Sequence, residues 1–351
     1  MDFGYYLPCY WPDTTYPMQH MYREMVREAQ FAEELGYVSF SIPEHHFTNA
    51  LVHPSGLLSA VHVAAHTKRV PIMTATTVLP FHNIPMLAGQ IAQADCLTNG
   101  RIQIGVGRGA YQYEFERLQI PMEDARERFS DSLDLLVKLL SEYDVEWDSR
   151  FYKLPPTTIT PRPVQTPHPP IWFAATTPET LDYAAGRGFP AMTTPLRESF
   201  AKVVAQVEAF KRGRERAAGD KSGIRLSMLI MAFVTENRRH TDELVQHALG
   251  RHRRFLNAFG TKGDVRAGAL SLRESDLTAE QIEQNLVIGP PDVVAEKISR
   301  YAALNIDNLQ LNMNFGAPNE QIMRSLELFA TRVMPNIHLS DQSEDETKQE
   351  G

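Results

Sequence analysis

Residues 85–110 read PMLAGQIAQADCLTNGRIQIGVGRGA. A helix over 85–98 is ended by Asn99-Gly100, and a strand follows whose Ile102, Ile104 and Val106 share one face. The strand runs into Gly105-Val106-Gly107-Arg108-Gly109-Ala110, a glycine-rich turn. The same punctuation, helix then Gly or Asn then strand, recurs at Gly36, Gly188 and Asn305. Upstream, the spacing predicts strand 2–7, helix 18–35, strand 38–42, helix 55–66 and strand 72–79. Downstream it predicts a helix near 129–143, strand 171–175, helix 178–185, a strand from 189, helix 200–216, strand 225–234 and helix 241–259. Helix 292–304, strand 308–313 and helix 319–333 close the series.

About eight β-α units in one chain imply parallel strands with helical crossovers. No G-x-G-x-x-G opens the first unit, and its turn over 8–17 is long and aromatic, which disfavours an open dinucleotide-binding sheet. The expected class is therefore α/β, as a closed eight-fold (β/α) barrel of TIM type. The proline-rich stretch 152–170 reads as an irregular excursion, and 260–288, without a strong pattern, as an insertion or mobile loop over the barrel mouth. One barrel domain over 1–339 leaves an acidic tail at 340–351, expected to be disordered.

Of 351 residues, 43% are apolar and 22% charged, an ordinary globular balance. Net charge is −8, and the tail with its five acids and one lysine holds half of it. The nearly neutral body lacks the basic face that a nucleic acid requires. The clusters at 211–216 and 251–254 read as solvated helix faces. The longest apolar run, about 226–234, falls far short of the roughly 20 residues of a membrane helix. Residues 1–4 show no leader, and two cysteines, Cys9 and Cys96, suit free thiols in a reducing compartment. A cytoplasmic protein with no membrane or nucleic-acid partner is expected.

In a barrel the chemistry collects where strands end. Glu44-His45-His46 follows one strand. Adjacent residues on extended chain diverge, so the two histidines are poorly placed to share a metal ion. A general base, or a hydrogen-bonded structural pair, are the alternatives. Arg108 among its glycines suits a phosphate, or the glycines simply make a tight turn. In Thr176-Thr177-Pro178-Glu179-Thr180 the hydroxyls and free amides of a helix start suit a phosphate, or Thr177 is an ordinary N-cap. Ala75-Thr76-Thr77 offers small residues to a ring system, or is plain core strand. Tyr5, Tyr6, Tyr10, Trp11, Phe47 and Tyr111 near strand ends suggest an organic, fairly apolar ligand. Together these clusters suggest a phosphorylated cofactor across the barrel mouth; local patterns do not separate a flavin from a sugar phosphate.

Glu44-His45-His46-Phe47, Thr77-Val78-Leu79-Pro80 and Gly100-Arg101 leading to Gly107-Arg108-Gly109, with Arg126, occur in an order that is similar to the bacterial luciferase-like family of flavin-dependent monooxygenases. The likeness continues through Pro170-Ile171, Ala184-Ala185-Gly186-Arg187-Gly188, Gly289-Pro290-Pro291, Ile306-Asp307-Asn308 and Val333-Met334-Pro335. Several stretches resemble the luciferase α chain.

The resemblance implies a barrel that binds FMN at the C-terminal strand ends. It implies His45 as the catalytic histidine and Glu114 as an acid that influences flavin chemistry. It matches Ala75-Thr76 to a non-proline cis peptide beneath the flavin ring, and Arg108, Arg126, Thr177 and Thr180 to the phosphate side. Glu44, Gly107, Ala110, Ala174 and Thr176 complete the implied cofactor-binding set, with no metal. The implied reaction oxygenates a small organic substrate with O₂ and reduced FMN through a flavin C4a-peroxide. The resemblance further implies that a separate NAD(P)H flavin reductase supplies the reduced flavin and that the chain pairs as a homodimer. Luciferase has cysteine at the Gly107 position and glutamate at the Thr176 position, so light emission is not implied. Three other readings compete. They are a deazaflavin-dependent hydride-transfer enzyme on the same barrel, a non-catalytic flavin-binding subunit, and a metal-dependent hydrolase using His45 and His46.

Overall fold

The computed structural model describes residues 1–196, 198–258 and 264–337. Strands β1 (Asp2–Tyr6), β2 (Phe40–Ile42), β3 (Ile72–Val78) and β4 (Ile102–Gly107) pair in chain order. Next come β5 (Ile171–Ala174), β6 (Ala191–Thr193) and β7 (Leu226–Val234). Then β8 (Asn308–Asn312) pairs with β7 on one side and β1 on the other, at Asn308↔Ser227 and Asp2↔Asn308. Eight parallel strands thus close a TIM-type barrel.

Helices α1 (Met18–Glu34), α2 (Gly56–His66), α3 (Ile84–Leu97), α4 (Ala125–Ser141), α5 (Pro178–Gly186) and α6 (Phe200–Arg216) separate the first seven strands. Helices α7 (Arg238–Ala258) and α8 (Pro291–Ala302) lie between β7 and β8, with the short helix Ala279–Asn285 between them, and α9 (Asn319–Leu328) follows β8. The spacing that predicts α1 is the spacing that buries it: Met25, Val26, Ala29 and Ala32 face the barrel. Ser55 and Asn83 cap α2 and α3 by accepting from Leu58 N and Met86 N.

Strand alternation sorts β1 residues between two environments. Phe3 packs edge-on to Phe329, 5.1 Å between centroids, outside the barrel. Gly4 and Tyr6 lie inside. A Cβ on Gly4 would stand 2.3 Å from Gln310 Nε2, so only glycine admits that side chain. Gln310 then knits the barrel interior. It accepts from Ser41 Oγ at 2.8 Å and donates to Ser39 Oγ at 2.6 Å and Asn308 Oδ1 at 2.8 Å. Met73, Trp172 and Met192 pack together across the barrel, and Trp172 Nε1 donates to Gln103 Oε1.

Outside the barrel, buried Glu28 on α1 accepts from Tyr5 Oη and from Asn319 Nδ2, each at 2.6 Å. Burial pushes its carboxyl up to about 7, against those hydrogen bonds. The native state therefore holds a proton that the unfolded chain releases near pH 4.5. Stability from this site is full below that pH and is lost as pH rises through about 7. Glu28→Gln should remove the loss: its thermal midpoint should fall less than wild type's between pH 5.5 and 8. The difference is on the order of 1–3 kcal/mol of stability. Parallel curves for the two proteins would refute the assignment.

Three segments differ from expectation. The stretch 260–288 is not one patternless insertion; its residues 260–263 and the tail 340–351 lie outside the described residues. From 264 it holds a small hairpin, Val265–Arg266 with Ala269–Leu270, and a helix Ala279–Asn285. A strand Val287–Gly289 then pairs with β7 at Val287↔Ala232. Three residues are too few to show a period. The helix start was legible, since Thr278 and Gln281 form a reciprocal capping box. Within 152–170, Lys153–Thr157 pairs antiparallel with Val145–Asp148; Pro155 and Pro156 are tolerated because the ribbon has only two strands. The unpredicted short helix Gln112–Arg117 carries Glu114.

Candidate active site

A cavity of about 770 Å³ opens at the C-terminal strand ends, within the range of small-molecule sites. Every residue singled out for the cofactor or the chemistry lines it: Glu44, His45, Ala75, Thr76, Gly107, Arg108, Ala110, Glu114, Arg126, Ala174, Thr176, Thr177 and Thr180.

His45 and His46 turn to different acids, as divergence on extended chain requires. His45 Nδ1 lies 3.0 Å from Glu114 Oε1, and the same oxygen accepts from His46 N at 2.7 Å. Glu114 is 1% exposed. A carboxylate only accepts, so His45 carries its proton on Nδ1, and Nε2 makes no hydrogen bond among the described residues. Tyr111 stacks on the His45 ring at 4.5 Å and 18°, fixing its plane.

His46 Nε2 and His82 Nε2 each stand 2.9 Å from Glu44 Oε1. Burial pushes the Glu44 carboxyl up, but the hydrogen bonds from His46 and His82 outweigh it and hold it below the usual range. Burial opposes charge on His46, yet Glu44 outweighs that and raises its imidazole above the ordinary value. This trio acts on the backbone, since Glu44 Oε2 also accepts from Val78 N at 3.3 Å, at the end of β3. Among the described residues no group of three or more His, Cys, Asp or Glu side chains is placed to hold a metal ion.

The Ala75–Thr76 peptide is cis, and the β3–β4 register shifts between Thr74 and Thr77. The glycines of β4 make room for this contact: a Cβ on Gly107 would lie 2.7 Å from Thr76 Oγ1. Beyond them Arg108 is exposed, and its Nε only reaches Gly109 O at 3.4 Å. Neither Arg108 nor Arg126 has a carboxylate partner among the described residues. Thr177 is the N-cap of α5, accepting from Thr180 N at 3.3 Å, and the two hydroxyls lie 3.0 Å apart. Capping and a free helix start thus coexist at this spot.

A model of the luciferase-like monooxygenases matches residues 1–308. This chain belongs to that family. The oxygenase component of a flavin-dependent trigonelline monooxygenase from Acinetobacter baylyi is 30% identical over 330 residues, 90% of each chain. An alkanal monooxygenase alpha chain from the Kryptophanaron alfredi symbiont is 24% identical, covering 96% of this chain and 98% of its own. The crystal structure of monooxygenase RslO1 from Streptomyces bottropensis superposes with a TM-score of 0.82 at 26% identity, over 95% of this chain and 99% of that one.

Two expectations about this luciferase-like site need correction. Of the aromatic residues, Tyr6 and Tyr111 line the cavity, but Tyr5 points outward to Glu28, and Trp11 and Phe47 border a smaller side pocket. The 251–254 cluster is not a solvated face. Arg251 lines the cavity, Arg254 Nη1 donates to Tyr10 Oη at 3.1 Å, and Arg253 Nε donates to Arg273 O at 2.7 Å. Ala248, Arg251, His252 and Phe255 share the inward face of α7. Ala248 and Phe255, three residues before and four after Arg251, were the available signal. Among the described residues no helix is long and apolar enough to cross a membrane.

Proposed function

We propose that the cavity binds FMN, reduced by a separate NAD(P)H flavin reductase, and that the protein oxygenates a small organic substrate with O₂. One observation carries this reading: two guanidiniums without acid partners among the described residues and a capped helix start meet, in a single cavity, an imidazole tethered by a buried carboxylate. Arg108, Arg126, Thr177 and Thr180 offer charge-assisted donors and hydroxyls to a phosphate. Ala75, Thr76, Gly107, Ala110, Ala174 and Thr176 give the ring system a wall with little side-chain bulk. Glu44 holds the end of β3 in place through Val78 N. Reduced flavin supplies the electrons that activate O₂; one oxygen atom enters the substrate and the other leaves as water. The protein orients both reactants, and His45, backed by Glu114, takes or gives a proton at Nε2. The relative named as an oxygenase component supports a two-component arrangement. Free Cys9 and Cys96 suit work in the cytosol. Exposed Leu58, Met86 and Leu97 on neighbouring α2 and α3 offer an apolar face to a second copy.

The test titrates purified protein with FMN, riboflavin and a deazaflavin cofactor. It then measures O₂ uptake and product from small carbonyl, sulfur and heteroaromatic compounds with NADH or NADPH, with and without an added flavin reductase. FMN should bind best, product should require the reductase, and the protein should sediment as a dimer. Preference for the deazaflavin would shift the reading to hydride transfer, and full-rate product without reductase would refute the two-component scheme.

A further inference from the structure

A third arginine lines the cavity, and no carboxylate among the described residues answers its charge. Arg251 lies against aromatic rings, with its guanidinium 4.1 Å from the Phe255 centroid and 5.6 Å from that of Tyr10. Its Nη1 reaches only Met231 Sδ, at 3.5 Å, and its Nε is buried without a hydrogen bond. No carboxylate lies within ion-pair distance of it among the described residues. The groups facing it are the phenols of Tyr10, Tyr6 and Tyr111, and burial keeps all three protonated. Burial also pulls the guanidinium itself below its ordinary value. An arginine in apolar surroundings with an orphaned donor is costly unless an anion joins it.

Arg251 stands apart from the proposed phosphate side. Arg108 follows β4 and Thr177 follows β5, whereas Arg251 is on α7 against Met231 of β7 and Tyr10, which follows β1. Tyr111, one of its facing phenols, is the ring that stacks on His45. An anion held by Arg251 would therefore lie on the His45 side of the cavity. We propose that Arg251 binds the carboxylate of an organic substrate, with the substrate's apolar body against Tyr6, Tyr111 and Phe255. This refines the expectation of a fairly apolar substrate to one with an apolar body and an anionic end. It rests on the proposed function only in calling that ligand the substrate.

The test is calorimetric titration of purified wild-type protein, Arg251→Gln and Arg251→Lys with three matched pairs: benzoate and benzamide, nicotinate and nicotinamide, phenylacetate and phenylacetamide. FMN is titrated separately. At least one carboxylate should bind wild type tenfold or more tighter than its amide, the scale of one charge-assisted pair. Arg251→Gln should lose about that factor, Arg251→Lys should lose part of it, and the FMN dissociation constant should stay within about twofold. The proposal falls if wild type prefers no carboxylate, or if Arg251→Gln keeps the preference. It also falls if Arg251→Gln weakens FMN tenfold, which would give Arg251 to the phosphate. If Arg251→Gln does not fold, equal carboxylate affinity in Arg251→Lys and wild type overturns it. Carboxylate selectivity without FMN binding would leave this inference standing and remove the proposed function.

Discussion

His45→Ala should bind FMN with near-normal affinity and lose about 10²- to 10⁴-fold in product formation, the range for a positioned proton donor or acceptor. The geometry behind this is the 3.0 Å contact from Nδ1 to Glu114, which fixes the tautomer and leaves Nε2 for the reaction. The informative measurement is product formed per O₂ consumed under supplied reduced flavin. Flavin still oxidises without the histidine, so oxygen should end as hydrogen peroxide and not in substrate. The pH dependence of product yield should flatten with the imidazole gone. Glu114→Gln is the companion variant. It keeps a group of the same shape but can donate to Nδ1, so part of the population should take the other tautomer and yield should fall less than in His45→Ala. Normal coupling in His45→Ala would make that residue structural and move the proton chemistry to another group in the cavity.

Arg108→Ala should weaken FMN binding by roughly ten- to a hundredfold, as expected for charge-assisted contacts of about 1.5–3 kcal/mol. Arg108 is exposed and, among the described residues, makes only a long hydrogen bond to its neighbour Gly109 O, so its removal costs little folding stability. Riboflavin, which lacks the phosphate, should bind wild type and variant alike. That pairing separates a lost phosphate contact from a damaged cavity. Turnover at saturating FMN should be nearly unchanged. Equal FMN affinity in the two proteins would take Arg108 out of the site.

Much of the barrel was legible because each β-α unit carries its own signals. A helical period ends at Gly36, Asn99-Gly100, Gly188 or Asn305, and the next strand alternates or runs apolar. The units close together because each needs a neighbour to cover its apolar face. What was not legible depends on encounters between distant residues. Nothing local says that Glu114 reaches back to His45, or that His82 shares Glu44 with His46. The glycines of β4 suggest close approach of a ligand, but nothing local says that Thr74 and Thr76 of β3 press against them. Arg251 sits in a run of basic residues, a pattern that favours the solvent-facing reading; only the turn of α7 sends it inward.

The network around Gln310, seated where Gly4 leaves room, closes the barrel from below, and Met73 and Met192 complete that floor. A floor of this kind turns entry toward the strand ends at which the cavity opens. Were the proposed flavin and its substrate both to enter there, their order of arrival would matter as much as their affinity. A compound that settled deep in the vessel would block nothing behind it, whereas one lodged at the opening would keep the proposed flavin out.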